Sequence, residues 1–274
     1  MNCMQITELK KLANSLVQGA RMELILTPKP GLVDLADTGS HPDLSIPIME
    51  QSIELVSDYL DEIVSSLAKG EAFVHQNRIG IEAERRQFDA LGTNTHKGYI
   101  FLSGMLLIAC WHAASTDEHA IRTTLSTMCS RFFSAGEEKH SHGEEARKKF
   151  KAGGIVLEAI KGFPSLFEEA LPAFRAAMQQ HNDFNAASFA MLARLMQTVD
   201  DTTTLHRAGP EGLALVRLHG HELEQLIAAG DDYIPYLEEL NRTFIRRNIT
   251  MGGVADMLGL AYGVLIANGE AVAG

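Results

Sequence analysis

A chain of 274 residues, 46% hydrophobic and 22% charged, carries enough apolar material for a sizeable core and lacks the composition of a disordered protein. Its net charge of −11 argues against a general nucleic-acid-binding face, which needs a basic surface, but leaves room for one local anion site. The three cysteines have no metal-ligand spacing; Cys110 and Cys129 fall in apolar helical sequence as core thiols, and the sparse count fits a reducing, cytoplasmic setting.

Helical periodicity begins at once. Leu9, Leu12, Leu16 and Val17 recur at helical spacing, and the first helix is expected to run to about Leu26, where Pro28 and Pro30 stop it. The first residues, 1–11, are amphipathic and show no basic-then-apolar signal pattern. Residues 29–47 hold Pro, Gly, Asp, His and Ser without an apolar period. A loop of that length inside a compact domain is usually functional or disordered, and Leu32, Val33 and Leu44 favour an ordered one. Helices are then expected over 48–68, 71–91, 95–115 and 117–133. The run at 98–114 is shorter than the roughly 20 residues a membrane span needs, so it is expected to be a buried core helix, with no membrane partner. The polar stretch 134–151 reads as helical in its second half, Pro164 and Pro172 punctuate 163–180, and further helices are expected over 186–199, 209–229, 231–246 and 252–268. No segment alternates with period two, so the expectation is one all-α domain over 1–274, a bundle of roughly ten helices.

Four segments carry chemistry. The loop Thr27-Pro28-Lys29-Pro30-Gly31-Leu32-Val33-Asp34, continuing to Asp37, Gly39, Ser40, His41, Pro42 and Asp43, sets an ammonium, carboxylates and an imidazole on a stiff Pro/Gly frame. Such groups serve phosphate binding, metal coordination or acid/base work, and equally well the capping of the next helix. The turn Gly92-Thr93-Asn94-Thr95-His96-Lys97-Gly98 feeds the apolar run; a helix N-terminus with an adjacent ammonium suits an anion, although ordinary caps use the same residues and the Walker A spacing is absent. Upstream, Glu82 reads as a helix-surface partner of Arg85 or Arg86. Asp200 and Asp201 close an apolar helix at its negative pole, which suggests a cation there or a partnership with Arg207. The paired glycines of Asn248-Ile249-Thr250-Met251-Gly252-Gly253-Val254-Ala255-Asp256 permit close backbone approach. His140, His142, His219 and His221 stand in i,i+2 pairs, which do not share a helix face, and are expected to be solvated or locally bonded.

Taken together, Thr27–Asp34 with His41 and Asp43, Glu84, Asn94–Gly98, Asp201-Thr202 with His206-Arg207 and Gly209, and Gly252-Gly253 with Ala255-Asp256 resemble the triphosphoribosyl-dephospho-CoA synthase family (CitG/MdcB type) in order across nearly the whole chain. The resemblance implies an all-α fold and an unusual transfer. ATP loses adenine, and its C1′ is joined, triphosphate still attached, to the ribose 2′-hydroxyl of 3′-dephospho-CoA. The product is the prosthetic-group precursor of the acyl carrier subunit of citrate lyase or malonate decarboxylase. Such a reaction passes through an oxocarbenium-like state, for which Asp34 or Asp43 is the expected catalytic carboxylate, with His41 orienting. Lys29, the turn residues Thr93, Asn94, Thr95, His96 and Lys97, and Arg207 are expected to hold the triphosphate. Mg²⁺ is expected to bridge it to Asp201, with Asp200 and Glu84 as further ligands. The substrates leave a homo-oligomer open.

The chain departs from the family pattern in its later half. An Arg-Gly-Glu string before Gly162-Phe163-Pro164 is here Val156-Leu157-Glu158, a family Asn is Thr203, a Gly is Ala208, and a Ser-Pro is Thr250-Met251. Losing a guanidinium there removes a phosphate contact worth about 1.5–3 kcal/mol if made. The alternatives are a paralogue serving another acceptor, a non-catalytic nucleotide-binding protein and a metal-dependent nucleotide phosphohydrolase.

Overall fold

A computed structural model describes residues 3–93, 95–134 and 153–271. Among these there are eleven α-helices and no strand, so the expected all-α bundle is what forms. In chain order they are α1 (Cys3–Ile25), α2 (Ile46–Ala68), α3 (Phe73–Leu91), α4 (Lys97–Ala113), α5 (Glu118–Ser134) and α6 (Gly154–Ile160). A π-helical stretch (Ser165–Ala170) then runs into α7 (Leu171–His181), followed by α8 (Phe184–Thr198), α9 (Thr202–Ala229), α10 (Ile234–Arg246) and α11 (Gly252–Ala267). The helix expected in the second half of 134–151, with His140 and His142, lies outside the described residues apart from Ser134, where α5 ends.

The bundle is organised around helices that are apolar on every side. α4 and α11 bury nearly their whole length, and a helix without a polar face must be surrounded. α1 packs along α11 more closely than any other pair, because Gly19 faces Gly259 and Gly263: a Cβ at Gly19 would overlap the Gly259 carbonyl oxygen and the Gly263 nitrogen. The stripe Leu9, Ala13, Leu16 and Ala20 faces this contact and is buried. Among the described residues no single helix is long and apolar enough to cross a membrane.

One boundary differs from the sequence reading. The helix expected from Gly209 begins earlier, at Thr202, where Asp201 caps it through the Thr204 N–H at 2.8 Å. The chain then breaks at Gly209 (φ 68, ψ −170) before resuming, since Pro210 offers no N–H and disfavours helical backbone in the residue before it. Within 163–180, the segment that Pro164 and Pro172 punctuate, a π-helical stretch runs into α7, which has Pro172 in its first turn. His219 and His221 are bonded locally, His219 to Glu222 and Tyr236 and His221 to Gln225.

Candidate active site

The 26–45 loop is ordered by its own polar groups. Asp34 is 2% exposed, and its carboxylate accepts three backbone N–H groups, from Lys29 at 2.6 Å, Ala36 at 2.7 Å and Asp37 at 3.2 Å. Asn241 of α10 ties the loop down from outside, accepting the Gly31 N–H at 2.9 Å and donating to Asp37 Oδ2 at 2.8 Å. Lys29 is 1% exposed and turns inward: its ammonium donates to the Glu23 carbonyl at 2.5 Å and pairs with the Glu23 carboxylate. A buried charge has to be paired in this way.

The end of the loop meets the chain entering α9 and α11. Arg207 donates to the Ser40 carbonyl at 2.7 Å and reaches His41 Nδ1 at 3.4 Å, while His41 Nε2 lies 2.6 Å from Thr250 Oγ1. A guanidinium only donates, so Nδ1 accepts and the ring proton sits on Nε2. Burial, with Arg207 beside it, lowers the His41 pKa to about 4, and the ring is neutral near pH 7.

The turn before α4 is pinned from two helices. Ser52 of α2 accepts from Gln87 at 2.6 Å, lies 2.6 Å from His96 Nδ1 and is bonded to Thr95 Oγ1. The His96 N–H donates to Gln87 Oε1 at 3.2 Å. His96 is 5% exposed, and burial, followed by the nearby Lys29 charge, lowers its pKa to about 4. Lys97, the first residue of α4, is exposed and lies 3.0 Å from Glu84 of α3. Thr93 reaches Asp43 at 3.4 Å on the exposed rim. Asn94 lies outside the described residues.

Loop, turn, α1 and α11 enclose a narrow cleft of about 60 Å³, small beside the roughly 300–1,000 Å³ usual for small-molecule sites. Of the expected site residues, His41, Thr95 and His96 line it, and Arg207 backs His41. Two further carboxylates line it as well: Glu23 of α1, which the sequence reading did not name, and Asp256 of α11, which it named in the resembling motif without a role. Burial, reinforced by Asp201 and Glu23, pushes Asp256 well above the usual carboxylate range, against the Tyr99 N–H that it accepts. Both residues left a trace in the sequence. Glu23 continues the apolar stripe of α1, seven positions after Leu16, and Asp256 is the one charged residue of α11.

The expected metal ligands do not converge. Asp201 is 1% exposed and spends both oxygens on N–H groups, Thr204 at 2.8 Å and Val254 at 3.0 Å. Asp200, its neighbour in sequence, points elsewhere, to Arg217 at 2.6 Å and into a second cleft with Glu158, Ser165 and Leu157. Glu84 sits on α3 against Lys97. Among the described residues no group of three His, Cys, Asp or Glu side chains could hold a metal ion. The Mg²⁺ cage of Asp201, Asp200 and Glu84 is therefore corrected: each is committed to a different partner.

An all-α bundle whose loop, turn and helix α11 converge on one cleft, with two imidazoles and two carboxyls in its lining, defines a helical protein with a chemically equipped site. The chain belongs to the ATP:dephospho-CoA triphosphoribosyl transferase (CitG) family, whose pattern matches residues 9–273. It is 30% identical over 260 residues to the 2-(5''-triphosphoribosyl)-3'-dephosphocoenzyme-A synthase of Klebsiella pneumoniae, covering 88% of this chain and 85% of that protein. It is 32% identical over 265 residues to the protein of the same name from Pectobacterium atrosepticum, covering 88% and 84%. Protein CitXG of Leuconostoc mesenteroides is 30% identical over 277 residues, covering 93% of this chain and 58% of that longer protein. No solved structure matches the chain.

Proposed function

We propose that this protein transfers the 5-triphosphoribosyl group of ATP to the 2′-hydroxyl of 3′-dephospho-CoA and releases adenine, acting in the cytoplasm as one domain. The observation that carries this reading is the family match across residues 9–273. The cleft supports it: neutral His41 and His96 line it with Thr95, and the Arg207 guanidinium stands behind His41. Arg207 and Lys97 hold the triphosphate, with Thr93 and Thr95 as hydroxyl donors. Mg²⁺ accompanies the triphosphate as part of the substrate. Lys29, Asp34 and Asp201 serve as framework, since their charges already meet internal partners. Asp43 meets Thr93 on the exposed surface beside the turn.

The test is to incubate the protein with ATP, Mg²⁺ and 3′-dephospho-CoA and separate bases from nucleotides. Adenine that forms only with dephospho-CoA supports the reading. ADP or AMP with phosphate, and no adenine, sinks it. A second reading, the same transfer to another alcohol, is favoured by Val156 and Leu157 on α6, where the family pattern has Arg-Gly. Leu157 lines the second cleft, which shares no lining residue with the first. Adenine release independent of dephospho-CoA selects that reading.

A further inference from the structure

Three helices bring Asp256 to the cleft. The carboxylate projects from the first turn of α11 over the start of α4, into space that exists because residue 98 is glycine; a Cβ there would overlap Asp256 Oδ2. Glu23 approaches from α1, its Cβ 3.6 Å from where a Cβ on Gly259 would stand, one turn along α11 from Asp256. The glycine contact between α1 and α11 fixes that distance. Both carboxyls line the same cleft, and they differ in partners. Glu23 is paired with the Lys29 ammonium, whereas Asp256 forms no ion pair among the described residues and accepts the Tyr99 backbone N–H.

We propose that Asp256 is the general acid of the glycosyl transfer, standing beside the Glu23–Lys29 ion pair. This rests on the transferase reading above. Adenine is a poor leaving group as an anion and a good one when a ring nitrogen is protonated. As the C1′–N9 bond breaks, its electron pair leaves on the base, and the Asp256 carboxyl passes its proton to a ring nitrogen of adenine. The acceptor hydroxyl oxygen supplies the pair for the new C1′–O bond. Its proton returns through solvent in the cleft to the Asp256 carboxylate, so no net proton is taken up. Burial raises the Asp256 carboxyl above the usual carboxylate range, the direction a general acid requires.

Asp256 also caps α4, so the test has to separate chemistry from capping. Asp256→Asn keeps an acceptor for the Tyr99 N–H and loses the acidic proton. Turnover is measured with ATP and with N7-methyl-ATP, whose base departs uncharged without being protonated. With ATP, kcat for Asp256→Asn is expected to fall about 10²- to 10⁴-fold. With the methylated donor the loss is expected to stay within about tenfold, well below that general-acid range. Gly98→Ala, which displaces the carboxyl without touching it chemically, is expected to show the same donor dependence and serves where Asp256→Asn does not fold. Equal losses on both donors, or no loss on ATP, overturn the assignment. If the unaltered protein releases adenine from neither donor, the transferase reading itself has failed.

Discussion

Asp201 and Val254 are 53 positions apart in sequence and joined by one hydrogen bond, the Val254 N–H donating to Asp201 Oδ2 at 3.0 Å. The other carboxylate oxygen accepts the Thr204 N–H at 2.8 Å. One buried side chain thus closes the first turns of α9 and α11 and sets the start of α11, which carries Asp256, against the start of α9, which carries Arg207. Each of those turns would otherwise leave N–H groups without partners away from water.

Asp201→Ala therefore removes two caps at once. At roughly 0.5–2 kcal/mol per cap, the loss of unfolding free energy is expected to be about 1–4 kcal/mol. Urea denaturation measures it. Asp201→Asn keeps one good acceptor and should lose clearly less. A small, equal loss for both variants would mean that the helix starts are held by packing alone.

Lys29 and Glu23 form a buried pair, 1% and 6% exposed at the side chain. Lys29→Met strands the Glu23 carboxylate and is expected to cost about 3–5 kcal/mol, the usual result of breaking such a pair from one side. Lys29→Met with Glu23→Gln removes both charges and is expected to regain much of that stability. If the double variant is no more stable than the single one, the pair is not what holds the loop to α1.

His96 makes the fold acid-sensitive. Its pKa lies at about 4 in the folded protein against 6.5 as the ordinary value, with burial as the main cause and Lys29 as the next. A lowered histidine pKa means that the unfolded chain binds the proton first. The contribution is present above pH 6.5 and is lost as pH falls towards 4. At about 1.36 kcal/mol per pH unit, the full effect is about 3 kcal/mol. Asp256, Asp201 and Glu23 have raised values and the opposite sign, so the informative quantity is the difference between the protein and His96→Gln. That difference in urea midpoint should shrink between pH 7 and pH 4.5. A constant difference would show that the buried ring does not titrate in this range.

The helices were legible because their apolar positions repeat at helical spacing, and α4 and α11 announced themselves by having no polar face. The direction of the charges was not legible. Lys29 lies in a Pro-Gly loop that looks built for an anion, yet its ammonium is the counterion of Glu23, six residues back on the helix before it. Asp200 and Asp201 are adjacent and look like a metal pair, but one ends α8 on its Arg217 side while the other turns in to cap two helices. Adjacent residues at a helix end point apart, and a sequence does not say which one faces the core. Glu23 and Asp256 were readable in principle, as lone charges at positions where helical periodicity demands apolar residues.

Lys97 and Arg207 separate binding from stability. Lys97 is 48% exposed at the side chain and its Glu84 partner 30%, so losing the pair should cost the fold no more than about 1 kcal/mol. Lys97 begins α4, where its charge adds to the positive end of the helix, and it is free to swing from Glu84 to a phosphate. Lys97→Ala is expected to leave the urea midpoint unchanged and to weaken ATP binding about tenfold, the equivalent of roughly 1.4 kcal/mol. Arg207 is bound to the loop through the Ser40 carbonyl and stands against His41, so Arg207→Ala should cost more, about 1.5–3 kcal/mol or roughly 10- to 150-fold in Kd. Arg207→Lys should not restore it, because an ammonium cannot serve the carbonyl, the imidazole and a phosphate with one planar fork. Titration calorimetry with ATP at two salt concentrations distinguishes these effects, since the Lys97 contribution should fade with salt while the more enclosed Arg207 contribution persists. An unchanged Kd for Lys97→Ala at low salt would place the triphosphate away from the start of α4.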